Sequence, residues 1–154
     1  MIDREELLKK YAGTEKDFTG QRFVGADFRS KIFRGGIYTR ADFSEACFDG
    51  ASFREADLSS ANFSRARIYE CVFAKNCYME GVDFSYTVFG QVTLSKVNLI
   101  RAIFRYATLS EFGFYKVDLS YADFSGAKEF EIGRCEDVVF YETIMPDGSI
   151  RTDA

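Results

Sequence analysis

An all-β solenoid built from square coils is the fold class this sequence predicts. Three observations predict it. A large apolar residue returns at every fifth position from Phe18 to Phe124, a second, fourfold longer period rides on the first, and neither period suits a helix or an ordinary strand. The series opens with Phe18, Phe23, Phe28, Phe33, Tyr38, Phe43, Phe48 and Phe53 and continues with Leu58, Phe63, Ile68 and Phe73. One extra residue follows, either Asn76 or Gly81. The frame then resumes at Met79, Phe84, Phe89, Leu94, Leu99, Phe104, Leu109, Phe114, Leu119 and Phe124. That makes 22 quintets over residues 16–126, and 14 of the chain's 17 Phe sit at their centres.

Each quintet has further structure. Two positions before the centre the residue is small, as in Ala26, Ala41, Ala46, Ala51, Ala56, Ala61, Ala66, Cys71, Cys77, Ala102, Ala107 and Ala122. One position before it, Asp or Asn recurs: Asp17, Asp27, Asp42, Asp57, Asn62, Asp83, Asn98, Asp118 and Asp123. A chain that buries one large and one small side chain in each quintet does so by turning a corner each time, so four quintets close a coil. Every fourth centre from the second onward is Phe (Phe23, Phe43, Phe63, Phe84, Phe104, Phe124), while the face that begins at Phe18 is more varied. At strand spacing the quintets make about 5.5 coils and roughly 26 Å of solenoid. The extra residue should interrupt one corner while the Phe ladder runs through it, so Phe63 and Phe84 should stack.

The ends need covers, because an open coil exposes backbone groups and rings. Asp3 and Glu6 form an N-cap pair, Leu7, Leu8 and Tyr11 an apolar stripe, and Gly13 a stop, which predicts a short helical cap over residues 3–12. After Gly126 the register fails. Residues 127–137 read as irregular, and Val138, Val139, Phe140, Ile144 and Met145 can cover the far end. Pro146-Asp147-Gly148 reads as a turn, and residues 150–154 as a frayed terminus. The whole chain is one domain: cap 1–15, coils 16–126, C-terminal cap and tail 127–154.

These quintets, with Ala, Cys or Val, then Asp or Asn, then Phe or Leu, resemble those of the pentapeptide-repeat proteins. The resemblance covers residues 16–126. It implies a right-handed quadrilateral parallel β-helix. The tail Thr143–Ser149 is similar to the ending of many family members from photosynthetic bacteria. The chain departs from the pattern in places. Lys16, Gln21 and Lys31 occupy small-residue positions. Val82, Thr87, Val92, Val97, Phe112 and Val117 are larger than Ala, which predicts a wider or distorted second half.

Composition narrows the function. There is no His, which removes Ser-His-Asp and Cys-His catalysis and His-ligated metal sites. Cys47, Cys71, Cys77 and Cys135 form no C-x-x-C pair and read as reduced packing residues. No catalytic residue, metal site or cofactor is expected. The N-terminal segment 1–15 is charged throughout and carries no signal-peptide pattern, which points to the cytoplasm. Asp42, Asn62, Asp83 and Asp123 should stack on one face. A divalent cation is one use for such a ladder, and hydrogen bonding to the turn backbone is the favoured one.

Charge is the last constraint. Residues 1–15 carry −1 and residues 127–154 carry −4, which leaves the coils at +1 within the total of −4. Some proteins of the family act on type II topoisomerases as acidic mimics of DNA. A mimic needs a sustained negative field, so near-neutral coils disfavour that role. The expected function is a non-catalytic scaffold presenting flat faces to a protein partner, without direct nucleic-acid or membrane binding and as a monomer. Two candidate surfaces stand out. The fourth face carries Arg34, Arg54, Lys75, Lys96 and Lys116 against Glu55. Lys75, Lys96 and Lys116 share one quintet position, where neighbours repel by roughly 0.9 kcal/mol in water at ~4.8 Å. The second surface is a corner where Tyr86 and Tyr106 should stack, with Arg101, Arg105 and Tyr121 nearby.

Overall fold

The computed structural model describes residues 16–74 and 76–153, together with Glu5 and Lys9. The helical cap expected over residues 3–12 lies outside the described residues apart from Glu5 and Lys9. Among the described residues no helix is long and apolar enough to cross a membrane.

The chain winds as a parallel β-solenoid of about five turns across the repeat. Residues one coil apart pair in parallel, as in Asp17 with Ile37 and Asp42 with Asn62. Four columns of quintet centres define four faces, numbered here from the columns that begin at Phe18, Phe23, Phe28 and Phe33. All the centres are buried, none more than 2 % exposed. The rings of face 2 stack continuously, with Phe23–Phe43 centroids at 5.1 Å, Phe43–Phe63 at 5.0 Å and Phe104–Phe124 at 4.7 Å. Rings on adjacent faces meet edge to face, such as Phe43 and Phe48 at 5.6 Å. Stacking along the axis and edge contacts across it are the two favoured aromatic geometries, so one residue type serves both directions.

The corners follow from the backbone. In most quintets of faces 1 and 2 the centre carbonyl accepts the N–H at the third position after it, for example from Ala41 to Tyr38 and from Ala66 to Phe63. The third residue of that turn is left-handed, as at Arg40 (φ 58°), Glu45 (φ 62°) and Tyr86 (φ 60°). This is a type II turn, a conformation that costs a non-glycine residue energy. The Asp and Asn residues help to hold it: Asp17, Asp27, Asp42, Asp57, Asn62, Asp83, Asn98, Asp118 and Asp123 each accept the backbone N–H of the second residue after them. On face 4, and on face 3 from Ile68 onward, the residue before the centre is Ser, Thr, Val, Ile, Arg or Gly, and short strands form instead. These are β1 (Ile32–Arg34), β2 (Ser52–Arg54), β3 (Arg67–Tyr69), β4 (Val72–Ala74), β5 (Val88–Gly90), β6 (Thr93–Ser95), β7 (Thr108–Ser110) and β8 (Gly113–Tyr115). They build parallel sheets β1-β2-β4 on face 4, β3-β5-β7 on face 3 and β6-β8-β9 on face 4, where β9 is Cys135–Glu136.

The extra residue falls between Ala74 and Cys77. Arg54 pairs with Ala74, the regular partner one coil on, but Asp57 pairs with Tyr78, one position beyond its regular partner. Gly81 is thereby removed from consideration, since it sits at an ordinary left-handed corner (φ 65°) after Met79. The Phe ladder passes through, with Phe63 and Phe84 centroids at 5.3 Å and their planes inclined by 36°. On face 4 the strand ladder stops there. β4 and β6 are neighbours but belong to separate sheets.

The second half keeps the regular coil length from Tyr78 to Lys128, so its larger residues are taken in without a break in the ladder. Volumes compensate. Val92, Val97 and Val117 precede Leu centres, and Phe112 turns inward to meet Phe89 at 4.7 Å and Phe114 at 4.9 Å, in the turn where Leu109 replaces a ring. Thr87 is fully buried and donates its hydroxyl to the Phe63 carbonyl at 2.7 Å. Thr143 does the same to Leu119 at 2.8 Å.

The parallel ladder continues past Gly126. Lys128 pairs with Thr108 at the regular spacing. Cys135 pairs with Phe114, Val139 with Asp118 and Ile144 with Asp123, each one position beyond the regular spacing. Residues 132–134 form a short 3-10 turn in this irregular stretch. Phe130 lies over the end of the core, 5.0 Å from the Phe124 ring. The expectation of a frayed terminus gives way: β10 (Phe140–Ile144) and β11 (Ile150–Asp153) form an antiparallel hairpin. Asp147 closes its loop by accepting the backbone N–H and hydroxyl of Ser149 at 3.0 and 2.6 Å. Arg151 lies 4.3 Å from the centre of the Phe140 ring, which ties β11 down.

Candidate interaction surfaces

Outward residues inherit their places from the repeat. The residues just before and just after each centre line a face, and the left-handed residue that follows stands at a corner. The corner between faces 2 and 3 carries Arg65, Tyr86, Tyr106 and Gly126. Tyr86 and Tyr106 stack at 5.1 Å with planes 19° apart, yet each ring residue remains about half exposed. The Arg65 guanidinium caps the stack 5.6 Å from the Tyr86 ring. Gly126 closes the other end. A Cβ there would lie 2.6 Å from the Tyr106 ring, so only glycine lets that ring lie flat against the backbone.

Arg101 and Tyr121 stand on the preceding corner, between faces 1 and 2, because they follow Leu99 and Leu119. Arg101 pairs with Glu80 at 3.2 Å and lies 5.5 Å from the Tyr121 ring. Tyr121 in turn meets Tyr141 edge-on at 5.5 Å. Face 2 is therefore edged by aromatic and arginine side chains on both sides. Arg105 lies within that face and donates to Asp123 at 2.6 Å. Arg65 and Tyr141 escaped the sequence reading. Arg65 holds the quintet position of Tyr86 in the preceding coil, on the far side of the extra residue. Tyr141 falls beyond the point where the quintet period fails.

The carboxylates of face 2 serve the turns. Asp42 accepts Ser44 N–H and hydroxyl at 3.1 and 2.7 Å and also the Asn62 amide at 3.1 Å. For Asp123, burial acts to raise the pKa, but the Ser125 hydroxyl and N–H together with Arg105 outweigh it and hold the carboxyl below its ordinary 3.8. A lowered folded pKa means stability present above the ordinary carboxylate range and lost as pH falls through the lowered value. Asp123→Asn should therefore flatten the acid limb of a stability-against-pH curve below about pH 4. An unchanged acid limb, read from urea unfolding across that window, would contradict this.

On face 4, Arg34 and Arg54 sit opposite each other on paired strands β1 and β2. Arg34 reaches Glu55 at 3.6 Å and Arg54 donates to Ser52 at 3.3 Å. Lys75 lies outside the described residues. Lys96 and Lys116 occupy successive corners and are exposed. Lys116 stands 5.2 Å from the Tyr115 ring and 3.7 Å from Asp137, and the Tyr115 contact, with Asp137 second, raises its pKa. Glu55 and Asp137 thus bound the basic column at either end. The cysteines are free thiols. Burial raises Cys71 far above the ordinary thiol value and pushes Cys135 up to about 11, which keeps both protonated at neutral pH.

Residues 46–124 match the family described as the pentapeptide repeat region, just over half of the chain. The chain belongs to the pentapeptide-repeat family. No curated protein sequence matches it. Among solved structures it is similar to trypsin-treated QnrB1 R167E, a plasmid-mediated fluoroquinolone resistance protein, with a TM-score of 0.54 and 22% identity. That match covers 85% of this chain and 66% of the other, so the chain spans just under two thirds of its length. It also matches HetL from the cyanobacterium Nostoc sp. strain PCC 7120, a protein involved in heterocyst differentiation regulation, at 17% identity and a TM-score of 0.33. That match covers 98% of this chain and 100% of the other. These likenesses concern the fold.

Proposed function

We propose that the protein is a non-catalytic cytoplasmic scaffold, a right-handed coil with a helical N-terminal cap, whose rigid faces dock a protein partner. The observation that carries this reading is the pair of aromatic corners edging face 2. Tyr86, Tyr106 and Tyr121 are about half exposed and already ordered by stacking or by an arginine. Docking on them costs little side-chain entropy, and Tyr with Arg is the composition of interface anchors. The near-neutral coils speak against mimicry of DNA.

Affinity capture from extract of the source organism tests the reading. Wild-type protein should enrich a protein partner that Tyr86→Ala/Tyr106→Ala and Tyr121→Ala no longer hold, with the fold intact by circular dichroism. Equal enrichment by all three, or none by any, would overturn it. A gyrase supercoiling assay should show no inhibition; clear inhibition would favour the topoisomerase role.

A further inference from the structure

Face 4 differs from faces 2 and 3 in how its charge is compensated. On faces 2 and 3 each arginine beside a centre has a carboxylate on its own face: Arg22 with Asp42 at 3.4 Å, Arg105 with Asp123 at 2.6 Å, Arg29 with Asp27 at 2.6 Å, and Arg67 with Asp49. Asp137, one rung beyond, meets Lys116 at 3.7 Å, and between the rungs of Phe33 and Phe114 face 4 sets Lys31, Arg34, Arg54, Lys96 and Lys116 against Glu55 alone among the described residues. That single acid meets Arg34 at 3.6 Å, with the Arg34 side chain 72% exposed. Beside the arginines, on the other side of the centre column, Ile32 is 68% exposed and Val72 43%. Face 4 therefore presents Arg34 and Arg54 on the face and Lys96 and Lys116 along its edge, with the exposed apolar residues Ile32 and Val72 across the centre column, in a row shared with Ser52, Thr93 and Gly113.

The spacing selects a ligand. Successive rungs lie ~4.8 Å apart. An extended chain returns a side chain to the same side only every ~6.7 Å, which runs out of step with the rungs. A helix brings residues i and i+3 or i+4 to one face at a rise of ~4.5 to 6 Å, close to one rung. The four steps from the Arg34 rung to the Lys116 rung span about 19 Å, the length of roughly 13 helical residues.

We propose that face 4 docks an acidic amphipathic helix of a partner protein, laid along the solenoid axis. Its carboxylates would meet Arg34, Arg54, Lys96 and Lys116, and its adjoining apolar residues Ile32 and Val72. Charge complementarity supplies the recognition, and the apolar pair favours a protein helix over a nucleic acid. This surface is distinct from the tyrosine corners and rests on the scaffold reading only in requiring a protein partner.

The test uses the full chain and a fluorescent peptide of about 14 residues, with Glu at i, i+3, i+7 and i+10 and Leu beside that stripe. A scrambled peptide of the same composition is the control, and so are a short DNA duplex and vesicles of phosphatidylcholine with about one third phosphatidylserine. The striped peptide should bind, with affinity falling about tenfold or more in Arg34→Glu/Arg54→Glu. Ile32→Ser/Val72→Ser should weaken it about threefold or more, which charge attraction alone does not produce. Tyr86→Ser/Tyr106→Ser should leave it unchanged, which separates this surface from the tyrosine corners. Each variant is checked for an unaltered thermal transition. If one fails to fold, Lys96→Glu/Lys116→Glu replaces the arginine pair and Ile32→Asn alone the apolar pair. Equal binding of the scrambled peptide, tighter binding of DNA or vesicles, or indifference to the arginine variant would overturn the proposal.

Discussion

Phe104→Ala is expected to lose about 4 kcal/mol of stability, the upper range for removing a buried ring. The magnitude follows from its contacts. Phe104 stacks on Phe84 at 5.2 Å and on Phe124 at 4.7 Å, and meets Phe112 and Phe114 at 6.3 and 5.9 Å. It is fully buried, and its flanking rungs are hydrogen-bonded above and below, so the cavity cannot collapse. Phe104→Leu should cost much less, about 1.5 kcal/mol, because Leu fills most of the volume. A solenoid passes stability between neighbouring turns, so the loss should be local. Amide exchange should accelerate most between Phe84 and Phe124 and least around Phe23 and Phe43. Uniform acceleration along the chain would mean that the turns unfold as one unit.

Gly36→Ala is the second large effect, about 3 kcal/mol destabilising. Two costs combine there. Gly36 has φ 106°, a region that residues with a Cβ avoid. An added Cβ would also lie 2.8 Å from Cε2 of Tyr38, a buried ring packed against Phe18, Phe33 and Phe43. The two costs separate in a double-mutant cycle with Tyr38→Leu, the residue type of later turns on that face. Leu removes the clash but not the backbone strain, so roughly half of the loss should remain. Equal losses in both backgrounds, read from urea midpoints, would place the whole effect in the backbone.

The extent to which the fold was legible follows from what a period can encode. A buried centre in every quintet specifies which side chains point inward, and the fourfold superperiod specifies which ones stack. The face 2 ladder was readable on that basis, and so was its passage through the extra residue. The Asp and Asn positions were readable as turn residues, because a short acceptor beside a corner has a backbone N–H within reach. The stacked Tyr86 and Tyr106 follow from the same columns. Past Gly126 the fold was legible only in part: Val138 and Phe140 are buried and residues 146–148 turn, as expected, but the continuing ladder was not foreseen. Val139 and Ile144 pair with the preceding turn through hydrogen bonds that need no repeated side chain, and the one-residue slip after Lys128 erases the period. Tyr141 and the ordered β11 hairpin were missed for that reason.

Residue order alone dictates the solenoid, its four columns and the corner residues, because a ring buried at every fifth position is reached by turning a corner in each quintet. It also dictates that face 4 is basic. Three-dimensional packing was needed to place the extra residue between Ala74 and Cys77 and not at Gly81, since either position restores the frame and the hydrogen-bond register tells them apart. It was needed again to turn Phe112 inward beside Leu109, because packing volume is shared across a corner that linear order does not reveal. And it shows which carboxylate each arginine meets, so that on face 4 Glu55 pairs with Arg34 while Arg54 turns to Ser52, a matter of distances between turns that a list of charges does not contain.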